Sequence, residues 1–172
     1  MRSLFRSIAV AVVGICIAGQ ANAALYVLSG DMDVFQATTN PDNVGTGTGT
    51  IAGDYDDVTN ILNYSIEWMD LTTPVTNMHF HLGAPGVPGG VELGIPGPWS
   101  SHQVGTNILL SAGLETNLLA GNWYVNVHTS QFGGGEIRGQ VFASVVPVPA
   151  AIWLFGTALI GLVGFSRRRK AA

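Results

Sequence analysis

Histidines are the residues of this sequence whose type and spacing could do chemistry. His79 and His81 flank Phe80 in a run that reads as a β-strand, which predicts two imidazoles on one face with Phe80 on the other. His128 ends the alternating run 123–128 and is predicted on the face opposite Trp123. These side chains would therefore project from strands, where a rigid scaffold can hold them.

Converging neutral imidazoles are suited to copper or zinc. The candidate ligands are His79, His81 and His128, with His102, predicted in a loop between them, as a possible fourth. The alternative is that the imidazoles bond loop backbone and shape the rim of the fold. The sequence does not show whether their strands are neighbours, so both interpretations stay open.

Other catalytic or ligand-binding patterns are weak or missing. No Gly-x-Ser-x-Gly occurs. The Thr-Gly repeat of 45–49 lacks a following Gly-Lys-Ser/Thr, which predicts a flexible loop. The acidic run 54–57 suggests calcium, but an EF-hand would need Gly and Glu where Thr59 and Ser65 stand, so a polar hairpin turn is predicted.

Arg138 is the one cation among residues 24–147. We expect it to share a strand face with Glu136, to pair with a carboxylate and to bind backbone carbonyls. An anion-binding role has no support in the sequence.

Short apolar or alternating runs between turn residues must position these side chains. No convincing helical period extends over ten residues between 24 and 147. Within 61–69, Leu62, Tyr64, Ile66 and Trp68 share one parity, which predicts a strand with one buried face. Glycine- and proline-rich separators are expected at 45–53, 83–97 and 133–135. The predicted strands are 25–28, 61–69, 75–82, 123–129 and 136–145. The pattern favours an all-β sandwich or Greek-key barrel.

Charge is segregated along the 172 residues. All eleven acidic residues lie between Asp31 and Glu136, so residues 24–147 carry a net charge of −10, whereas the other basic residues lie at the two ends. An acidic body excludes a nucleic-acid binder, which needs a basic footprint. About 124 residues are enough for one domain and too few for two.

The N-terminal residues 1–23 are typical of a secretory signal peptide. Two arginines precede an apolar run of eleven, and Ala21 and Ala23 occupy the −3 and −1 positions before a cleavage site at Ala24. Cleavage would remove Cys16, the only cysteine. The exported body would then have no disulfide and no thiolate ligand.

The C-terminal residues 146–172 are typical of a membrane anchor. Residues 150–165 are apolar or small except Thr157, and Arg167, Arg168, Arg169 and Lys170 follow. This predicts a transmembrane helix with a cytoplasmic basic tail and the acidic body outside.

The same segment resembles a PEP-CTERM sorting signal, in its VPLPA variant. The motif is Val146-Pro147-Val148-Pro149-Ala150, followed by the apolar helix and the arginines. Val148 departs from the leucine of the variant, and the Glu of the Pro-Glu-Pro form is absent. The resemblance implies a Gram-negative bacterium, an exosortase-type processing enzyme, inner-membrane anchoring before cleavage, and release or transfer to the cell surface, often alongside exopolysaccharide.

The body resembles a CHRD domain, the module named from chordin and found in bacterial exported proteins. The resemblance rests on His79-Phe80-His81-Leu82-Gly83, the glycines that follow, the run 123–129, and Gly135-Glu136-Ile137-Arg138-Gly139. It implies an immunoglobulin-like or superoxide-dismutase-like β-barrel over 24–145 without an established catalytic activity.

Copper–zinc superoxide dismutases use histidines in the order found here. The four histidines of this sequence would all be needed as copper ligands, which leaves none for zinc. A complete dismutase is therefore not expected.

We expect a non-enzymatic, surface-delivered β-sandwich that binds an exopolysaccharide or a matrix protein, or alternatively a mononuclear copper or zinc protein.

Overall fold

The computed structural model describes residues 24–39, 42–147 and the single residue Ala158. In these residues it contains eight β-strands and one short helix, α1 (Ala112–Leu119), between the sixth and seventh strands. The prediction of an all-β body is confirmed. The strands are β1 (Leu25–Asp33), β2 (Thr48–Asp56), β3 (Ile61–Met69), β4 (Val75–Leu82), β5 (Val91–Gly94), β6 (His102–Leu109), β7 (Trp123–Thr129) and β8 (Ile137–Val145).

All eight strands belong to one antiparallel sheet. Their order is β5-β4-β7-β8-β1-β2-β3-β6. The two edge strands, β5 and β6, follow each other in the chain and are joined by residues 95–101. This connection runs from one edge of the sheet to the other.

The sheet curls around a single apolar core. Tyr64 on β3 and Phe80 on β4 have ring centroids 5.1 Å apart, although four strands separate β3 from β4 in the sheet order. Contact over that separation requires the two ends of the sheet to face each other. Trp123, fully buried, packs beside Phe80 with centroids 5.5 Å apart. Apolar burial from both ends of the curled sheet is what stabilises the fold.

Period-two alternation explains the strands that the sequence indicates. In β3, Leu62 and Ile66 are fully buried and Tyr64 is 4% exposed, whereas Glu67 on the other face is exposed. The predicted bounds of β3, β4 and β7 are confirmed, and β8 begins one residue later than predicted.

The glycine-rich segment 45–53 is not a separator, and that prediction is wrong. Residues 48–53 belong to β2, which pairs along its whole length with β1 and β3. Gly53 lies so close to β3 that a side chain there would overlap the carbonyl of Asn63. Glycines allow strands to approach closely, but they have no side chains that could alternate between apolar and polar. The hydrophobic pattern of the sequence therefore does not predict β2.

The prediction of a loop around His102 is also wrong. His102 begins the edge strand β6, whose residues are mostly exposed and so lack an apolar alternation. The segment 83–97 likewise contains the short edge strand β5. Edge strands with little burial give weak sequence signals because side-chain packing hardly constrains them.

In the part of the chain that the structure describes, no helix is long and apolar enough to cross a membrane. The predicted signal peptide of 1–23 lies outside the described residues. So does the predicted membrane helix of 150–165, apart from Ala158.

Candidate metal centre

Pairing of β4 with β7 brings three of the four histidines together. His79 lies opposite Asn126, His81 opposite Tyr124, and His128 opposite Asn77. On the other face Phe80, Val125 and Val127 are buried in the core. The predicted faces of both strands are therefore confirmed, and the three imidazoles project from the same outer side.

The distances suit three ligands of one metal ion. One nitrogen from each of His79, His81 and His128 lies within 4.8 Å of the others. The His79 Nδ1 and His128 Nε2 atoms are 3.3 Å apart. Two nitrogens at tetrahedral angles around zinc, with bonds of about 2.0–2.1 Å, would be separated by about 3.3–3.4 Å. This pair already has the spacing of two ligands.

Backbone carbonyls orient two of the rings. His81 Nδ1 lies 3.0 Å from the Gly89 carbonyl, and His128 Nδ1 lies 2.9 Å from the Gly133 carbonyl. A carbonyl can only accept, so each Nδ1 carries the proton and donates it. Each Nε2 is then unprotonated. Its lone pair can bind a metal ion or accept a hydrogen bond, as that of His128 can from His79 Nδ1, and this is the usual arrangement of a histidine ligand and its outer partner.

The His81 Nε2 atom is buried and has no hydrogen-bond partner among the described residues. A buried polar atom without a partner costs free energy unless something else binds it. A metal ion between the three rings would bind this nitrogen.

Burial also keeps two of the rings neutral. Desolvation lowers the pKa of His79 below its ordinary value, and the neighbouring His128 and His81 lower it further. Desolvation lowers the pKa of His128 as well, against a smaller opposite effect of its bond to Gly133. Neutral imidazole is the form that binds metal, so both groups are ready to coordinate at neutral pH.

Tyr124 supports His81 from the neighbouring strand. Its ring stacks on the His81 imidazole with centroids 5.1 Å apart and planes 12° apart. Its hydroxyl accepts from the Gly89 amide at 3.0 Å and donates to the Gly89 carbonyl at 3.4 Å. Gly89 must be glycine because a side chain there would overlap the Leu82 carbonyl. Tyr124 and His81 thus both form hydrogen bonds to the loop residue Gly89.

Residues 26–141 match the CHRD domain family. The chain belongs to this family. The match covers the fold from β1 into β8 and includes all three converging histidines. Comparison with curated proteins and with solved structures gave no match.

Arg138 of the CHRD domain pairs with no carboxylate within the described part of the chain, so the prediction of an ion pair is wrong. Among the described residues the salt bridge within 4.0 Å joins His102 to Glu67, and Arg138 forms none. Its guanidinium carbon lies 3.5 Å from the centre of the Tyr124 ring. It donates to the Ala84 carbonyl at 3.0 Å and to Gln140 Oε1 at 3.3 Å. The predicted bond to a backbone carbonyl is confirmed.

Glu136 does not share the surroundings of Arg138, which corrects the predicted common face. It precedes β8, and its fully buried carboxylate accepts from Thr72 and from the Thr129 hydroxyl. Gly135 has a φ of +117°, a left-handed conformation that favours glycine and turns the chain before the strand. Gly139 lies within β8 against Met32 and the Asp31 carbonyl, where a side chain has no room.

His102 is not part of the histidine cluster of the CHRD domain. Its Nε2 lies 2.9 Å from the Ser65 hydroxyl and 3.8 Å from Glu67, both on β3. The structure therefore brings together His79, His81 and His128 and leaves out the possible fourth ligand.

The predicted processing residues lie at the margin of the described chain. The Ala24 amide donates to Asp57 Oδ1 at 2.8 Å, and the Val146 amide donates to the Leu25 carbonyl at 2.8 Å. Pro147 is also described. The remaining residues lie outside the described ranges: Ala21, Ala23, Val148, Pro149, Ala150, Arg167, Arg168 and Arg169.

Sequence reasoning missed the support provided by Gly89, Gly133 and the Tyr124 hydroxyl. A glycine run follows each histidine-bearing strand, at 89–90 and at 133–135, and this was the available signal. Loops rich in glycine expose backbone carbonyls that can approach a side chain closely.

Proposed function

We propose that this CHRD-family protein is an exported β-sandwich module that binds one copper or zinc ion through His79, His81 and His128. The observation that carries the proposal is the convergence of three imidazole nitrogens within 4.8 Å. Two of the rings have their Nδ1 atoms committed to backbone carbonyls, which leaves Nε2 free to coordinate.

The donor set argues for copper or zinc among the common metal ions. Three imidazoles without a carboxylate are poor ligands for magnesium or calcium, which prefer oxygen. Imidazole suits zinc and copper, and divalent copper is the tighter binder of the two in the general order of affinities. We therefore expect both ions to bind and copper to bind more tightly.

The place of action that we propose is the bacterial envelope or extracellular matrix. The signal-peptide pattern of 1–23 and the sorting-signal resemblance of 146–172 support export, anchoring in the inner membrane and processing by an exosortase-type enzyme. Cleavage would deliver the acidic domain to the cell surface or matrix. Its net charge of −10 over residues 24–147 favours solubility and disfavours anionic surfaces.

We propose a binding or structural role without catalysis of its own. In this role the metal ion would join β4 to β7 and to the loops that carry Gly89 and Gly133. A metal-free alternative is supported by those same bonds to backbone carbonyls, which could by themselves shape the loops for an exopolysaccharide or a matrix protein.

Metal stoichiometry tests the proposal directly. The full chain, carrying an affinity tag without histidines and purified in detergent, is loaded with copper or zinc in separate samples and desalted, and bound metal per chain is measured. We expect about one equivalent of either metal. A His79→Ala/His81→Ala double variant should retain none, whereas His102→Ala should retain as much as the wild type.

No retained metal in the wild type would refute metal binding and leave the metal-free binding module. Equal loss in the His102→Ala variant would show that the measured metal is not held by the three converging histidines.

A further inference from the structure

We infer that the metal ion held by His79, His81 and His128 keeps an open coordination position that takes a small anion, and that Arg138 strengthens the binding of that anion. This inference rests on the proposed function. It adds a ligand class to the site and a role for a buried cation.

The open position follows from the number of ligands. Among the described residues the group of converging donors contains three histidines and no further His, Cys, Asp or Glu. Zinc and divalent copper take at least four ligands, and sites with three protein ligands leave a position for water or another small molecule. His79 and His128 are only half-buried, so small solutes can reach the ion from their side.

The charge of the site favours an anion at that position. Three neutral imidazoles leave the double positive charge of the ion uncompensated. A bound ion of this kind is the largest local charge in its surroundings and attracts anionic ligands. The described ligand group contains no carboxylate that would reduce this charge.

Arg138 adds a further positive charge, one aromatic ring away from the ligand histidine His81. Arg138 is 3% exposed as a residue, and its guanidinium carbon lies 3.5 Å from the Tyr124 ring centre. The Tyr124 ring in turn stacks on the His81 ring with centroids 5.1 Å apart. The aromatic ring of Tyr124 is therefore the layer between the cation and a ligand histidine. A charge in this buried position is screened less by salt than a surface charge.

The charge of Arg138 is not neutralised from the adjacent strand. Asp33 is its register partner on β1, but the Asp33 carboxylate accepts two bonds from Gln36, at 2.9 Å and 3.0 Å, instead. The polar contacts of the guanidinium are the Ala84 carbonyl and the Gln140 amide oxygen, both uncharged. None of these described contacts carries the negative charge that would neutralise Arg138 near the proposed metal centre.

Azide is the probe for this position. Copper-loaded full chain of measured stoichiometry is titrated with sodium azide at constant ionic strength, and absorption and electron paramagnetic resonance spectra are recorded. We expect a saturable azide-to-copper charge-transfer band and a changed copper resonance, with the copper still bound after desalting. A loaded protein whose spectra do not respond to azide, or that releases its copper to azide, would overturn the open position.

Arg138 is tested with two substitutions. Arg138→Gln removes the charge, and Arg138→Lys keeps it. We expect the azide dissociation constant to rise several-fold in Arg138→Gln and to stay near the wild-type value in Arg138→Lys, with copper stoichiometry unchanged in both. Equal azide affinity in Arg138→Gln and wild type would refute the role of the charge.

A comparison of ligands keeps this test decisive even when Arg138→Gln does not fold. Azide and the neutral ligand imidazole are titrated into the wild-type copper protein, and Arg138→Lys provides the folded reference. Tighter binding of imidazole than of azide would contradict an anion-selective position.

The metal measurement separates the two proposals. Absence of bound copper refutes the proposed function before azide is added. Bound copper that is lost in the His79→Ala/His81→Ala variant but does not bind azide refutes only the inference of an open, anion-binding position.

Discussion

The Nδ1 atom of His79 lies 3.3 Å from the Nε2 atom of His128, although 49 positions separate the two residues in the chain. They stand on β4 and β7, which are adjacent and antiparallel. Their register places His128 opposite Asn77, so the two histidines meet along a diagonal of the ladder. A shift of register by one residue would turn one of them into the core and separate the pair.

Removal of His128 should abolish stoichiometric metal binding. His128→Ala deletes one of three ligands. Loss of an outer-shell partner lowers metal affinity about 10- to 100-fold, and we expect loss of this direct ligand to lower it further. Competition with a chelator of known affinity measures the change. The His102→Ala variant is the control, since His102 lies at Ser65 and Glu67. A His128→Ala protein with wild-type affinity would contradict the three-histidine site.

The Tyr124 hydroxyl should strengthen metal binding through the loop that orients His81. Tyr124→Phe keeps the ring against His81 but deletes the bonds to both the amide and the carbonyl of Gly89. We expect metal affinity to fall by about 10-fold, at the lower end of outer-shell effects. Tyr26→Phe on β1 is the matched control and should change nothing. Unchanged affinity in Tyr124→Phe would show that the ring stack alone is sufficient.

Acid should destabilise the metal-free protein through the histidine cluster. The pKa values of His79 and His128 lie below the ordinary 6.5, chiefly because burial disfavours the charged form. Between those lowered values and pH 6.5, these two histidines therefore bind more protons in the unfolded chain than in the folded chain. The free energy of unfolding contributed by these groups is complete above that pH and decreases as the pH falls through it towards the lowered folded values.

Urea unfolding of the metal-free protein at about pH 7.5 and about pH 5 measures this dependence. We expect lower stability at the acidic pH and a smaller difference in a His79→Ala/His128→Ala variant. An equal difference in that variant would assign the acid sensitivity to other groups.

The buried carboxylate of Glu136 should matter for stability. It is fully buried and accepts from the Thr72 amide at 2.6 Å, the Thr72 hydroxyl at 2.9 Å and the Thr129 hydroxyl at 2.8 Å. Glu136→Gln would turn an amide NH₂ towards donors, and we expect a loss of about 2–3 kcal/mol in the free energy of unfolding. Glu67→Gln is the control because the Glu67 side chain is 65% exposed. Similar effects of the two substitutions in urea unfolding would contradict this role.

Cleavage before Ala24 should create an ion pair. The Ala24 nitrogen lies 2.8 Å from Asp57 Oδ1, and in the processed protein that nitrogen would be the charged amino terminus. We expect N-terminal sequencing of exported protein to begin at Ala24. Asp57→Asn should lower the stability of the chain that starts there by up to about 1 kcal/mol. The same substitution should have a smaller effect in a chain with one additional N-terminal glycine, and equal effects would argue against the pair.

Local alternation in the sequence determined β3 and the two strands, β4 and β7, that carry the three histidines. The bounds of β3, β4 and β7 and the faces of their residues follow from period-two burial, because successive side chains of a strand point to opposite sides. The His-x-His spacing of His79 and His81 placed both rings on the outer face for the same reason. The membership of the CHRD family could also be recognised from motifs in these strands.

Only the tertiary structure decided which strands are neighbours. The sequence left His79, His81 and His128 as candidates with His102 as a possible fourth, and it did not show which of their strands are neighbours. Pairing of β4 with β7 brought the first three together, and pairing of β6 with β3 removed His102. The surroundings of Arg138 were likewise decided by Tyr124 on the adjacent strand rather than by a carboxylate. Strand neighbours and register depend on burying one common core from both ends of a curled sheet. Because this condition involves residues far apart in the chain, no single run of residues predicts it.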